Sequence, residues 1–132
     1  MRWLVTGGAG YIGGHVVAAM QAADLPVVVL DDLSTGSLAR VPAGVPVLTT
    51  ALHDFDAVLA GLREHEVTGV IHLAAKKAVG ESVARPLYYY RENVGGFEVL
   101  LRAMRSAGVT RVLLSSSASV YGNPDEDQVT ED

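Results

Sequence analysis

Five short apolar runs rich in β-branched residues recur along the chain, bounded by Gly, Asp or Ser. They cover residues 3–5, 27–30, 47–49, 70–73 and 112–114. Runs without alternation of apolar and polar residues are typical of strands buried on both faces. Strands of this kind occur in parallel sheets that carry helices on each side, so the runs constrain the fold class more than any other feature.

Segments with helical spacing separate most of these runs. Apolar residues recur at intervals of three and four over residues 12–20, 55–62 and 94–104, whereas residues 34–46 carry two prolines and two glycines and indicate a loop. Repeated strand–helix–strand units predict an α/β fold with a doubly wound parallel sheet (Rossmann-like). We expect an incomplete nucleotide-binding domain over residues 1–122, followed by an acidic tail over residues 123–132, with ligands at the carboxyl ends of the strands.

A glycine-rich segment follows the first run directly and opens into the first predicted helix, with the sequence Thr6-Gly7-Gly8-Ala9-Gly10-Tyr11-Ile12-Gly13. Gly7 allows a tight turn, Gly10 lets backbone N–H groups approach a pyrophosphate, and Gly13 permits close packing of the helix on the sheet. The positive end of the helix then faces the anion. The pattern predicts that Gly7, Gly10, Tyr11, Ile12 and Gly13 bind the pyrophosphate of a dinucleotide.

An acidic residue follows at the distance that dinucleotide-binding folds require. Asp31 stands 18 positions after Gly13, at the end of the second strand. Its carboxylate can accept hydrogen bonds from both adenosine ribose hydroxyls and would repel a 2′-phosphate, and Asp32 adds a second negative charge. NAD is therefore predicted in preference to NADP. The alternative is that the glycines serve only a turn, which would need strand, loop, helix and acid to coincide by chance.

Charge and cysteine content exclude several other functions. The formal net charge is −5 and the ten Lys and Arg residues are scattered, so we expect neither a nucleic acid nor a membrane as partner. The chain has no cysteine, which excludes disulfides, thiolate catalysis and cysteine-ligated metals, and we predict no metal site. No apolar run approaches the roughly 18 residues of a membrane span, so a cytoplasmic protein is expected.

Four blocks of the sequence resemble the extended short-chain dehydrogenase/reductase family, and within it the sugar-nucleotide epimerases. They are VTGGAGYIG at residues 5–13, LDDL at 30–33, KAVGESV at 77–83 and SSSASVYG at 115–122. The resemblance implies NAD as cofactor and a UDP-sugar as substrate, such as UDP-glucose or UDP-galactose, inverted at carbon 4 by transient oxidation. It also implies that Ser117 is the catalytic serine, which hydrogen-bonds the sugar 4-hydroxyl, and that Lys77 contacts both cofactor and substrate.

The resemblance implies further cofactor contacts, at Leu33, Ser34, Leu52, Leu73, Ala74, Ala75 and Asn93. Lys76 stands beside Lys77 where the family usually has an apolar residue, so one of the two lysines could be only a surface charge. A helix cap is the alternative role for Asn93. His72 is interpreted as a structural histidine, and Tyr88, Tyr89 and Tyr90 as packing and interface residues, which is compatible with a homodimer.

Two positions depart from the family pattern. Ala51 replaces an Asp whose carboxylate faces the adenine amino group, so adenine binding would rest on backbone groups around Leu52. In addition, no tyrosine of the chain is followed four positions later by the lysine of the family's acid/base pair. We therefore expect the N-terminal part of a longer enzyme, inactive alone.

Two alternative functions are a sugar-nucleotide 4,6-dehydratase and a non-catalytic NAD-binding module. A dehydratase needs an acidic residue soon after the serine, and Ala118 and Ser119 stand there instead.

Overall fold

The computed structural model describes residues 1–123 and 129–130, so most of the predicted acidic tail lies outside the described residues. The described chain forms one five-stranded parallel sheet in the order β3-β2-β1-β4-β5. The strands are β1 (Trp3–Thr6), β2 (Val27–Asp31), β3 (Val47–Thr49), β4 (Gly69–His72) and β5 (Val112–Leu114). All five predicted strands are confirmed; β1 and β2 extend one residue further, and β4 lies one residue earlier.

Helices connect the strands as the apolar spacing predicts, except between β2 and β3, where the predicted loop is present and contains one 3₁₀ turn. The helices are α1 (Tyr11–Ala22), α2 (Phe55–Glu64), α3 (Val79–Ala84), α4 (Pro86–Tyr89) and α5 (Gly96–Ala107), with a π-helical turn over Tyr90–Gly95 and 3₁₀ turns over Leu38–Arg40 and Ala118–Tyr121. The third predicted helix, over residues 94–104, is therefore only the end of a helical segment that begins at Pro86. No helix in the described part of the chain is long and apolar enough to cross a membrane.

Both faces of the sheet are covered, which confirms the doubly wound architecture. Neighbouring residues of a strand point to opposite faces. Leu4 packs with Val58 and Leu100 on the side of α2 and α5, whereas Val5 packs with Val17 on the side of α1. Burial of these side chains on two faces stabilises the sheet and holds its strand ends at a common edge.

The register of the central strand aligns the carboxyl ends of its neighbours. Thr6, the last residue of β1, lies opposite Leu30 of β2 and His72 of β4. Asp31 lies opposite Thr49 of β3, and His72 opposite Leu114 of β5. The loops that follow all five strands therefore start along one edge of the sheet.

The glycine-rich loop between β1 and α1 is closely packed. Gly7 has a φ of +71°, a backbone conformation that favours glycine. A Cβ atom on Gly13 would overlap the carbonyl oxygen of Gly7, which belongs to the rigid backbone of the loop. The predicted turn at Gly7 is present. Gly13 is closely packed as predicted, but its contact is with the backbone of Gly7 and Gly8 in the loop and not with the sheet.

Candidate functional site

A cleft of about 900 Å³ lies at the carboxyl edge of the sheet. Its walls are formed by the loops after all five strands and by the π-helical turn. The predicted site residues that line it are Gly7, Gly10, Tyr11, Ile12, Gly13, Asp31, Asp32, Ser34, Leu52, Leu73, Ala74, Ala75, Lys77, Asn93 and Ser117. Leu33 is not part of this lining. Its backbone, at a φ of +58°, turns the chain out of β2, and its N–H donates to Asp31 Oδ1.

The first wall of the cleft is the amino end of α1. Gly10 precedes this helix and provides no side-chain cap, and its first turn contains no acidic side chain. The first N–H groups of a helix have no partner within it, and the helix dipole makes this end positive. The arrangement suits an anionic group such as a pyrophosphate.

Asp31 is fixed in the second wall by two backbone donors. Its Oδ2 accepts from Ala9 N at 3.0 Å and its Oδ1 from Leu33 N at 2.8 Å, and the residue is only 7% exposed. A carboxylate offers about four acceptor positions, so each oxygen can still accept a hydrogen bond from a ligand. These two bonds hold the carboxylate between the glycine loop and the turn after β2.

A polar bridge joins the loops after β2 and β4. Lys76 Nζ donates to Ser34 Oγ at 2.6 Å, and Ser34 Oγ donates to Asp32 Oδ1 at 2.6 Å. Burial raises the pKa of Asp32, but the hydrogen bonds from Ser34 and the charge of Lys76 outweigh it and hold this pKa below its usual value. Of the two lysines, Lys76 is half-buried in this bridge, and Lys77 is exposed on the cleft lining.

Asn93 holds the loop after β4 from the opposite side. Its Oδ1 accepts from Lys76 N at 2.8 Å, and its Nδ2 donates to Lys76 O at 2.9 Å. Asn93 lies inside the π-helical turn of a continuous helical segment, so the alternative role as a helix cap is wrong. Its side chain shapes the cleft by fixing the backbone of Lys76.

His72 is buried beneath the centre of the cleft. Its Nδ1 lies 2.7 Å from Thr6 Oγ1, its ring stacks on Phe97 with centroids 4.8 Å apart, and it is 5% exposed. Burial lowers the pKa of His72 to about 4. Thr6 Oγ1 accepts from Ala74 N at 3.4 Å, which leaves its hydroxyl proton for a neutral His72 Nδ1. The interpretation of His72 as a structural residue agrees with these contacts.

The last wall follows β5, where Ser115, Ser116 and Ser117 all line the cleft. Ser117 is exposed and precedes the 3₁₀ turn over Ala118–Tyr121. Its Oγ accepts from Ser119 N at 3.2 Å and donates to Ser119 Oγ at 3.1 Å. The second of these bonds is between exposed hydroxyls, which can exchange it for a bond to a ligand.

The lining also contains residues that were not among the predicted site residues, although the sequence analysis had considered Ala51 beside adenine and Lys76 beside Lys77. These additional residues are Leu30, Thr35, Arg40, Thr50, Ala51, His53, His72, Lys76, Glu92, Val94, Phe97, Leu114, Ser115 and Ser116. His53 and Glu92 each adjoin a predicted residue, Leu52 and Asn93, and this adjacency was the available indication. Arg40 lies in the loop between β2 and β3, where the sequence has no helical or strand periodicity from which its position could be predicted.

A parallel sheet whose carboxyl edge combines an uncapped helix end, a glycine-rich turn and an acid after β2 defines a dinucleotide-binding α/β protein. The chain matches the NAD dependent epimerase/dehydratase family over residues 3–132, and it belongs to this family. It is 44% identical over 131 residues to the UDP-glucose 4-epimerase of Azospirillum brasilense, an alignment that covers 99% of this chain and 38% of that protein.

Solved structures agree with this assignment. The UDP-glucose 4-epimerase of Thermus thermophilus in complex with NAD superposes with a TM-score of 0.93 at 41% identity, covering 99% of this chain and 43% of that chain. The enzyme from Stenotrophomonas maltophila with bound NAD and formylated UDP-arabinopyranose superposes with a TM-score of 0.93 at 38% identity, covering 99% and 41%. The chain thus spans about two fifths of the length of these relatives.

The depressed pKa of His72 predicts a pH dependence of stability. Between pH 6.5 and about 4 the unfolded chain binds a proton at His72 that the folded chain does not. His72 therefore makes folding less favourable as the pH falls through this window, and its contribution is constant above it. We expect the free energy of unfolding, measured by urea denaturation, to fall less steeply over this window in His72→Asn than in the native chain. Equal slopes for the two proteins would contradict the prediction.

Proposed function

We propose that this chain forms the NAD-binding part of a UDP-sugar 4-epimerase that interconverts UDP-glucose and UDP-galactose. The observation that carries the proposal is that one cleft contains the amino end of α1, the carboxylate of Asp31 and the serines after β5. The end of α1 suits the anionic pyrophosphate of a dinucleotide, and Asp31 suits its ribose hydroxyls. The serines supply hydroxyl groups for a substrate. The family membership and the NAD-bound relatives support the same function.

Successive parts of NAD can be matched to particular residues of the cleft. The spare acceptor positions of Asp31 suit the adenosine ribose, and the N–H groups at the start of α1 suit the pyrophosphate. The small residues Ala74 and Ala75, in a loop fixed by Asn93, let the backbone approach the cofactor. When bound, NAD supplies a reversible hydride acceptor for oxidation at carbon 4 of the sugar.

Ser117 is proposed to bind the sugar. Its Oγ accepts from the backbone N–H of Ser119, which orients the hydroxyl. Its proton is donated to the exposed hydroxyl of Ser119, and a ligand can replace Ser119 as the acceptor. A hydroxyl held in this way can hydrogen-bond the 4-hydroxyl of the sugar and keep it in place for proton transfer. Lys77, exposed on the same lining, is proposed to contact both cofactor and substrate.

The general acid/base is proposed to lie in a further segment of the polypeptide that completes this domain. None of the tyrosines at positions 11, 88, 89, 90 and 121 has a lysine four residues later. The edge strand β5 is also incompletely covered, because Val112, Leu113 and Leu114 are 42–54% exposed. Apolar residues of a parallel sheet are normally buried, so further structure against β5 is expected in the complete enzyme.

A homodimer is proposed through the exposed apolar side chains of Leu87, Tyr90 and Val94, which recur at helical spacing and are 60–82% exposed. Sedimentation equilibrium of the chain tests this contact: a dimer that Leu87→Glu dissociates supports it, and a monomer at every concentration contradicts it.

Replacement of Asp31 tests the cofactor assignment. A charge-assisted hydrogen bond contributes about 1.5–3 kcal/mol, so Asp31→Ala should weaken NAD binding by this amount and reduce the preference for NAD over NADP. Calorimetric titration of the 132-residue chain with each dinucleotide measures both effects, and Asp24→Ala, which changes an acid outside the cleft, serves as control. Binding of NADP as tightly as NAD by the native chain would refute the assignment.

Replacement of Ser117 tests the catalytic assignment. The 132-residue chain alone should show no interconversion of UDP-glucose and UDP-galactose. A chimera that joins it to the remaining part of the Azospirillum brasilense enzyme should be active, and Ser117→Ala should lower its turnover by about 10²- to 10⁴-fold. Ser115→Ala is the matched control and should have a much smaller effect. A larger loss from Ser115→Ala, or turnover by the 132-residue chain, would contradict the proposal.

A further inference from the structure

Two polar side chains that meet at one end of the cleft have no assigned role. His53 follows the end of β3, Glu92 lies in the π-helical turn, and His53 Nε2 is 3.4 Å from Glu92 Oε1. His53 Nε2 is buried and, within residues 1–123 and 129–130, has no hydrogen-bond partner. Both residues line the cleft. A buried polar atom without a partner is costly, and a slightly closer approach to Glu92 Oε1 would satisfy His53 Nε2.

Glu92 has unused hydrogen-bonding capacity. Its side chain is only 17% exposed, and within the described chain neither carboxylate oxygen accepts a hydrogen bond. Arg91 Nε lies 3.6 Å from Oε1. The neighbouring Asn93, by contrast, uses both of its polar atoms on Lys76. Of these two residues in the turn, Glu92 is the one whose side chain is available to a ligand.

The position of this pair in the sheet indicates which part of a ligand it meets. Asp31 lies opposite Thr49 at the end of β3, so the loop over residues 50–53 starts beside the carboxylate that suits the adenosine ribose. The base attached to that ribose can extend toward this loop and the π-helical turn beside it. Ala51, also on the lining, has no side-chain acceptor for an amino group.

We propose that Glu92 accepts a hydrogen bond from the exocyclic amino group of adenine, and that His53 is a positioning residue that holds the Glu92 carboxylate toward the base. This inference rests on the proposed function, since it assumes that the cleft binds NAD. Glu92, in the π-helical turn, would then recognise the adenine amino group, which Ala51 cannot do. A carboxylate is a suitable acceptor because it offers only lone pairs to the base.

Nicotinamide hypoxanthine dinucleotide is the probe that isolates this contact. It differs from NAD in the base, where a carbonyl oxygen replaces the amino group and N1 carries a proton. In the complex with the analogue, a carboxylate that accepts from the amino group of adenine would face the carbonyl oxygen of hypoxanthine instead. Both groups are acceptors, and no proton lies between them. The native chain should therefore bind NAD more tightly than this analogue.

The test compares the ratio of the two dissociation constants in four proteins by calorimetry on the 132-residue chain. Glu92→Gln should reduce the preference for NAD about tenfold or more, because the amide can donate to the carbonyl oxygen. Glu98→Gln, a surface change outside the cleft lining, should retain the native ratio. His53→Gln should also reduce the preference for NAD, but it should leave the affinity for the hypoxanthine analogue unchanged. A general loss of structure would weaken the binding of both dinucleotides.

A rescue variant keeps the test informative if Glu92→Gln weakens binding for another reason. Adding Ala51→Asp to Glu92→Gln supplies a carboxylate from the loop after β3 and should restore the preference for NAD. A native ratio in Glu92→Gln, or no base preference in the native chain, would overturn the inference while leaving NAD binding intact. Failure of the native chain to bind either dinucleotide would overturn the proposed function as well.

Discussion

The structure depends on the parallel pairing of β1 with two neighbours at once. Because Thr6 lies opposite both Leu30 and His72, the three loops that follow these strands start at one level of the sheet. The hydrogen-bonded ladder fixes this level, and packing on both faces prevents the strands from shifting, since a shift by one residue would exchange their buried faces. The cleft and every contact in it follow from this alignment.

Loops at such an edge need additional restraints, and here side chains bind the backbone of neighbouring loops. Asp31 accepts from Ala9 and thereby connects the turn after β2 to the glycine loop. Asn93 connects the π-helical turn to the loop after β4. The hydroxyl of Thr6 contacts both His72 and Ala74. Hydrogen bonds of this kind preorganise a site, because the loops are held before a ligand arrives.

Much of this fold could be predicted from local patterns. Continuous apolar runs place all five strands, since burial on both faces leaves a clear trace in the sequence. The glycine loop and Asp31 could also be placed, because a tight turn into a helix and an acid at a strand end are local features. The segment after β4 could not: Val79, Val83 and Leu87 are exposed, so its short helices have no buried stripe to reveal them.

The remaining features of the site depend on contacts between distant parts of the chain. Lys76 and Lys77 are adjacent, and only the bridge from Lys76 to Ser34 distinguishes their environments. Leu33 adjoins two residues of the cleft, but the turn at its positive φ takes it out of the lining. His53 and Glu92 are brought together by the packing of the loop after β3 against the helical segment, which a local pattern does not contain.

The central claim is that this edge of the sheet binds NAD as one continuous site. Titration of the ¹⁵N-labelled 132-residue chain with NAD, followed by amide chemical shifts, tests it most directly. We expect the largest shifts at Tyr11, Ile12 and Gly13, at Leu52 and His53, and at Ala74 and Ala75. Unchanged spectra at saturating NAD, or shifts confined to the exposed face of α3 and α4, would contradict the account.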